Sequence, residues 1–295
     1  MGFSASIGSL AVIACVGDDP TIVAPAEKDA GTDASSNQDD RATPPLADAS
    51  VTADAADAAV RKCQTVTPPP APNDFFCADF DGTQLSEGWT GTPRADAGTL
   101  SLSTLTSTST PSALRARAPF GTTFLSRGSS LDWQKLGATT IRDVDVTFDF
   151  NPVQVVGVLT PSTGDIGLVA IEVGGSGGST ITHALRSTRG KKVLSDGGAH
   201  VGLFLQSSLT GGAATQVTEA LTIVPVPGVW TNIQIVASST GQVVIRFNGI
   251  AVFNKTIFPF SESRVQLSLG AVAIGATPVD EVFQFDSFVA QVNRN

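Results

Sequence analysis

The chain contains no tyrosine, three tryptophans, three cysteines and two histidines, and only 15% of its 295 residues are charged. Each scarcity excludes something. Tight sugar sites stack their ligand on Trp or Tyr faces, and here Trp89 and Trp230 fall in stretches of core character, which leaves Trp133 in "LDWQK" as the one exposed platform. His183 in "TITHALR" and His200 in "GGAHVGLFL" have no Gly-x-Ser-x-Gly elbow to serve, so no nucleophile–base triad is expected. The glycine stretch "GGSGGS" (174–179) lacks the lysine and following helix of a phosphate loop and suits a hairpin. Basic residues cluster only at Arg186, Arg189, Lys191 and Lys192, around the turn "STRGKK", where a solvated tip is expected and contact with an acidic polysaccharide or a lipid headgroup is the alternative. The net charge of −9 lies almost wholly in residues 16–60 and argues against nucleic acid as a partner of that segment; no nucleic-acid partner is expected.

That charge is unevenly spread. Residues 16–60 hold ten acids against Lys28 and Arg41, a net of −8, so the low isoelectric point belongs to this segment. From Val16 to Lys62 the sequence is Ala, Asp, Ser, Thr and Pro with almost no large apolar residue, a composition too poor in apolar surface to offset ordering entropy. It is expected to be a disordered tether, about 40 Å long as a coil and about 150 Å when fully extended. Before it, the apolar run Ile7–Ala14 is too short to span a bilayer and has the shape of a secretory h-region followed by a processing site. Val12-Ile13-Ala14-Cys15 resembles the lipobox of bacterial lipoproteins, which implies acylation at Cys15, a leader over 1–15 and membrane attachment through lipid. The preceding "MGFSAS" departs from the usual pattern in having no Lys or Arg. Val16 after the cysteine implies outer-membrane or cell-surface sorting.

With Cys15 assigned to the anchor, Cys63 and Cys77 form an even pair in an exported chain, and a disulfide is the simplest outcome. Zinc fails on ligand count, since the two histidines are far away in sequence.

From about residue 73 onward, short apolar stretches of period two alternate with Gly, Ser, Thr and Pro, without a convincing helical run. Strands are expected near 76–81, 99–104, 112–117, 141–150, 166–173, 180–186, 199–206, 229–237, 242–247, 250–255, 264–270 and 282–292. In "QVVIRFNGIAVFNK", Asn248-Gly249 separates two strand-like runs and signals a two-residue hairpin. In "FFCADFDG", alternation turns Phe76, Ala78 and Phe80 to one face and Phe75, Cys77, Asp79 and Asp81 to the other, which is expected to be wet. No repeat of 20 to 50 residues is evident, which argues against a propeller or solenoid.

In order along the chain, "FFCADFDG…LSEGW", "GTLSL", "PSALRAR", "GVWTNIQIVASSTGQVVIRFNG" and "FQFDSFVAQV" resemble the landmarks of the concanavalin A-like lectin/glucanase superfamily, near its LamG-like members. The resemblance implies an all-β fold over 63–295, an antiparallel two-sheet jelly-roll sandwich with first and last strands adjacent, following the disordered tether of 16–62. It also implies a structural calcium at positions matching Gly98 and Asp286, with Asp79 nearby, although calcium needs six to eight oxygens and this set supplies only some. The glucanase strand motif Glu-x-Asp-x-x-Glu is missing. Its nearest counterpart, "RDVDVTFDF", shows the alternation of any half-buried strand, with Asp143, Asp145 and Asp149 on one face. The expectation is therefore a non-catalytic surface domain that binds a polysaccharide or another surface ligand. A divergent glycoside hydrolase or lyase, and an adhesive or structural module that recognises protein, remain as alternatives.

Overall fold

The computed structural model describes residues 62–91, 94–109, 111–119, 127–155, 164–174, 179–211, 215–275 and 280–295. The expected leader with Cys15 and the tether up to residue 61 lie outside the described residues. Among the described residues no helix is long and apolar enough to cross a membrane. A single turn of helix, α1 (Lys62–Thr65), precedes fifteen strands. In chain order they are β1 (Asp74–Ala78), β2 (Arg94–Asp96), β3 (Thr99–Ser103), β4 (Ala113–Ala118), β5 (Arg127–Leu136), β6 (Ile141–Val155), β7 (Asp165–Gly174), β8 (Thr180–Val193), β9 (Ala199–Thr210), β10 (Thr215–Ala220), β11 (Thr231–Ser238), β12 (Gln242–Phe247), β13 (Ile250–Thr256), β14 (Arg264–Ile274) and β15 (Glu281–Arg294).

The strands form two antiparallel sheets. One has eight strands in the order β13-β12-β11-β6-β15-β4-β3, with β1 also on β15. The other has seven, in the order β10-β9-β8-β7-β14-β5-β2. The long β15 pairs its first half with β4 and its second half with β1, so the first and last strands are neighbours, as the resemblance implied. Period-two patterning explains the sandwich. In β6 the alternate residues Val144, Val146, Phe148 and Phe150 are buried, and they share one continuous core with Val169, Ile171 and Val173 of β7 and with Val265, Leu267 and Leu269 of β14.

Two backbone irregularities refine that pattern. At the Asn248-Gly249 turn both residues have positive φ, 49° and 81°, as a two-residue hairpin requires. Between Asp286 and Val289 the β15–β6 register shifts, and Ser287 takes φ 53°. This bulge lets Phe285 and Phe288 both enter the core while Asp286 turns outward.

The disulfide between Cys63 and Cys77 is formed, with Cα atoms 5.6 Å apart, and ties α1 to β1. Closing a loop of that length stabilises by about 3 kcal/mol in the chain-entropy account.

Three strands, β2, β5 and β10, depart from the sequence expectation, which has none at those positions. β5 carries the instructive case, because its opening "RGSS" offers no large apolar side chain and looks like a loop. Gly128 within it meets β14 so closely that a Cβ would lie 2.1 Å from the Ala271 carbonyl oxygen. Trp133, expected to be exposed, belongs to the core face of β5. It is 6% exposed and stacks on Phe76 at 5.4 Å, while Trp89 meets the same ring edge-on at 4.8 Å. Trp89 is thus core as expected, and Trp230 is half-buried. In the first strand Phe76, Ala78 and Phe80 do point inward. Asp81 is buried as well, because β1 ends at Ala78 and Phe80 adopts φ 57°, which breaks the alternation.

Candidate functional site

The outer face of the seven-stranded sheet is built in cross-strand rows that the register dictates. Asp132 of β5 lies opposite Ser268 of β14, Ser268 opposite Ala170 of β7, Ala170 opposite Ala184 of β8, and Ala184 opposite Gln206 of β9. One side of that row is a polar one: Gln134, Gln266, Glu172, Thr182, Ser208 and Gln216. The other side includes Ser130 opposite Gly270, and Gly167 opposite Arg186. All these positions alternate with core residues such as Leu131, Leu267, Leu269, Ile171 and Leu185, so they point away from the sandwich interior.

Small side chains in the middle rows leave a groove of about 200 Å³, lined by Asp132, Ala170, Thr182, Ala184, Arg186 and Ser268, among others. Asp132 and Arg186 stand three strands apart, about 14 Å at the usual interstrand spacing. At the Asp132 end, Thr90 and Gly91 donate their backbone N–H groups to the Asp132 carbonyl at 3.0 and 2.9 Å, and the Gln134 N–H donates to Thr90 Oγ1 at 2.7 Å. The segment after Trp89 thereby continues the sheet edge.

The Arg186 end is electrostatically uneven. Asp165 is buried and its Oδ2 accepts from Lys192 Nζ at 2.5 Å. The same oxygen is 4.0 Å from Arg186 Nη1, too far for a hydrogen bond. Arg186 Nε is buried and has no hydrogen-bond partner among the described residues. Burial pulls the guanidinium below its ordinary pKa, and the Asp165 charge opposes this. Lys192 also sits 5.3 Å from the centre of the Phe204 ring, on the same face. The sequence placed Arg186 and Lys192 at a solvated hairpin tip, whereas the structure sets them beside a groove. Side chains of Arg189 and Lys191 lie outside the described residues. Period two along Thr182, Ala184 and Arg186 was the available signal.

The other residues singled out from the sequence are elsewhere. His183 shares its face with Ile181 and Leu185 and is 1% exposed within the sandwich. Its Nδ1 lies 2.9 Å from Ser207 Oγ, its Nε2 has no hydrogen-bond partner among the described residues, and burial lowers its pKa to about 4. His200 Nε2 donates to the Leu203 carbonyl at 2.7 Å. Asp143, Asp145 and Asp149 occupy the outer face of the eight-stranded sheet, each held by neighbours: Asp143 by Arg142 and Asn293, Asp145 by both oxygens to Gln234, Asp149 by Asn232 and Thr108. Burial raises the Asp145 pKa, the Gln234 hydrogen bonds lower it, and the Asp143 charge raises it.

The three positions expected to share a calcium do not converge. Asp286 is 0% exposed, and its carboxylate accepts five donated hydrogen bonds: from Thr108 N at 2.8 Å and Oγ1 at 3.0 Å, Ser109 N and Oγ both at 2.8 Å, and Ser287 N at 2.7 Å. Burial pushes its pKa up while these donors pull it down. A carboxylate saturated by N–H and O–H donors is poorly disposed toward a cation. Asp79 approaches it only through Ser109, whose hydroxyl oxygen lies 3.2 Å from the Asp79 carbonyl. Gly98 precedes Thr99, whose row reaches β15 at Val282, four residues or about 13 Å from Asp286. A Cβ on Gly98 would come within 2.5 Å of the Gly128 carbonyl carbon, so its glycine serves a close crossing of chains. Among the described residues no group of three or more His, Cys, Asp or Glu is placed to hold a metal ion. The residue set does not fit calcium.

No family model matches the chain, and no curated protein matches it either. Solved structures do. An endo-β-1,4-glucuronan lyase from the fungus Trichoderma reesei superposes with a TM-score of 0.54 at 14% identity, over 69% of this chain and 91% of the lyase. The cellulose-induced protein Cip1 gives 0.46 at 11% identity, over 73% and 96% of the two chains. The binding domain of botulinum neurotoxin DC gives 0.40 at 11% identity over 70% of this chain and 44% of the other. The similarity to the lyase supports the jelly-roll sandwich, an architecture compatible with the concanavalin A-like class. At such identity it speaks of fold alone.

Proposed function

We propose that this is an exported surface protein, lipid-anchored through Cys15 and carried on the 16–62 tether, whose LamG-like jelly roll binds a polysaccharide along the outer face of the seven-stranded sheet. The groove over Ala170, Ala184 and Ser268 carries this proposal. Its floor is small, and the flanking row of Gln, Glu, Thr and Ser offers donors and acceptors at strand spacing, which suits the hydroxyls of an extended saccharide. Stacking on Trp133 has no part in it, since that ring is in the core. A carbohydrate role accords with a jelly roll shared with a glucuronan lyase.

Binding is favoured over catalysis because the histidine and aspartates singled out from the sequence are committed elsewhere: His183 to Ser207 inside the sandwich, Asp143 and Asp145 to partners on the opposite sheet. The lyase-like fold gives the catalytic alternative its own observable, the release of shortened chains. Thermal unfolding of the full-length chain across a panel of polysaccharides tests the proposal. A ligand at 100 times its Kd adds about 2.7 kcal/mol of stability. A flat panel overturns the carbohydrate role and favours protein recognition, whereas chain shortening that survives Asp143→Asn/Asp145→Asn excludes those two aspartates as its source.

A further inference from the structure

One end of the groove holds a guanidinium whose Nε has no hydrogen-bond partner among the described residues, and this bears on which saccharide it takes. Arg186 is mostly buried at one end of the groove, with Nε unpaired among the described residues and Nη1 4.0 Å from Asp165 Oδ2. That oxygen is already engaged by Lys192 at 2.5 Å. A desolvated guanidinium with one long ionic contact is unfavourable on its own, because water has been removed and little has replaced it. Arg294 has a fuller set of partners, although its Nη2, like Arg264 Nε, is also buried without one among the described residues. Arg294, 6% exposed, donates from Nε to Asp74 at 2.7 Å and from Nη1 to the carbonyls of Thr139 and Ser263 at 2.8 and 2.9 Å. The difference is what a group retains when its remaining partner is a ligand.

Arginine is also the side chain whose planar fork matches an oxyanion with two parallel hydrogen bonds. The groove beside it is lined by Gly167, Ala170, Ala184 and Ser268 together with the apolar side chains of Leu168, Val272 and Ile274, a surface on which a sugar ring can lie while its charged substituent turns toward Arg186.

Resting on the groove as the saccharide site, we infer that its ligand is an acidic saccharide, bearing a carboxylate or a sulfate ester, whose oxyanion is taken by Arg186. Lys192 holds Asp165 off that position and keeps the guanidinium available. Asp132 lies at the far end of the groove, where it is 7% exposed.

The test uses the full-length protein and three oligosaccharides of equal length: a polyuronate, the same compound with its carboxyl groups reduced to alcohols, and a sulfated neutral glycan. Calorimetric titration should give about 10- to 100-fold tighter binding of one acidic ligand than of the carboxyl-reduced one, the range expected for a charge-assisted hydrogen-bonded pair. Preference for the polyuronate identifies a carboxylate, and preference for the sulfated glycan identifies a sulfate ester. Arg186→Gln should erase the preference while leaving affinity for the reduced compound within about threefold, and Arg186→Lys should recover only part of it. Equal binding of acidic and reduced compounds by the unaltered protein overturns this inference and leaves the saccharide groove standing. If none of the three binds, both fail. Because the comparison of acidic and reduced ligands needs no substitution, it decides the matter even if Arg186→Gln does not fold.

Discussion

The outer faces of the two sheets differ in how their charged groups are paired. On the eight-stranded sheet, Asp143, Asp145, Asp149 and Asp286 each accept hydrogen bonds from side chains or backbone of adjacent strands and loops. On the seven-stranded sheet, small residues open a groove, and Arg186 is left with a long contact to an acid that Lys192 has already engaged. Polarity alone therefore does not mark a binding face. A closed network stabilises the sandwich, and a face with unspent hydrogen-bonding capacity is the one that can gain by meeting a ligand.

Removing the most heavily bonded carboxylate gives the largest effect on this contrast. Asp286→Ala removes four hydrogen bonds from Thr108 and Ser109 and one from Ser287, and leaves the Ser109 and Ser287 donors buried, an expected loss of about 4 kcal/mol in urea unfolding. A loss under about 1 kcal/mol would show that the network on that face is not what holds the loop.

Beneath the open face, His183 provides a pH test. Its native pKa of about 4 lies below the ordinary 6.5, so between those values the unfolded chain binds the proton and the native state does not. Its contribution is complete above pH 6.5 and is lost as pH falls toward 4, by up to about 3 kcal/mol. Stability curves from about pH 7 to about pH 4 should be flatter in His183→Gln than in the parent, and parallel curves would show that His183 does not titrate there.

Asp145→Asn should have the smallest effect, within about 1 kcal/mol, since Gln234 still has an acceptor. Asp145 has a raised native pKa, so the native state holds its proton more tightly than the unfolded chain. Its favourable contribution is present below the ordinary value of 3.8 and is lost as pH rises through the native value. Asn is thus expected to be neutral or slightly stabilising at about pH 7 and to give no gain near about pH 3. A loss above about 2 kcal/mol at neutral pH would mean the ionised group is integral to the network.

Much of the fold was legible from alternation. β6, β11 and β12 carry large apolar residues at every second position and stand where expected, and the Asn248-Gly249 hairpin follows from the tolerance of both residues for positive φ. The weaker strands escaped for a physical reason. β5 begins with glycine and serine, whose fit to a strand depends on how closely β14 approaches, and β2 has three residues. Trp133 shows the same limit, because a tryptophan in a polar run looks exposed until Phe76, from a strand much earlier in the chain, is laid against it.

The site was less legible than the fold. Cys63 and Cys77 were found because their pairing needs only two cysteines and an exported chain. Gly98 and Asp286 carried over from a resemblance, and the bulge at Ser287 with the Thr108–Ser109 loop turned Asp286 into a saturated anchor. What the sequence by itself determined is an acidic, core-poor segment before an all-β body, the disulfide and most strand positions, since these depend on composition and on a period of two. The tertiary structure alone decided which of the polar faces stays open and where Arg186 stands. Those depend on register between strands distant in sequence, which sets Asp132, Ser268, Ala170 and Ala184 side by side and places Arg186, its Nε without a partner among the described residues, at the end of the groove.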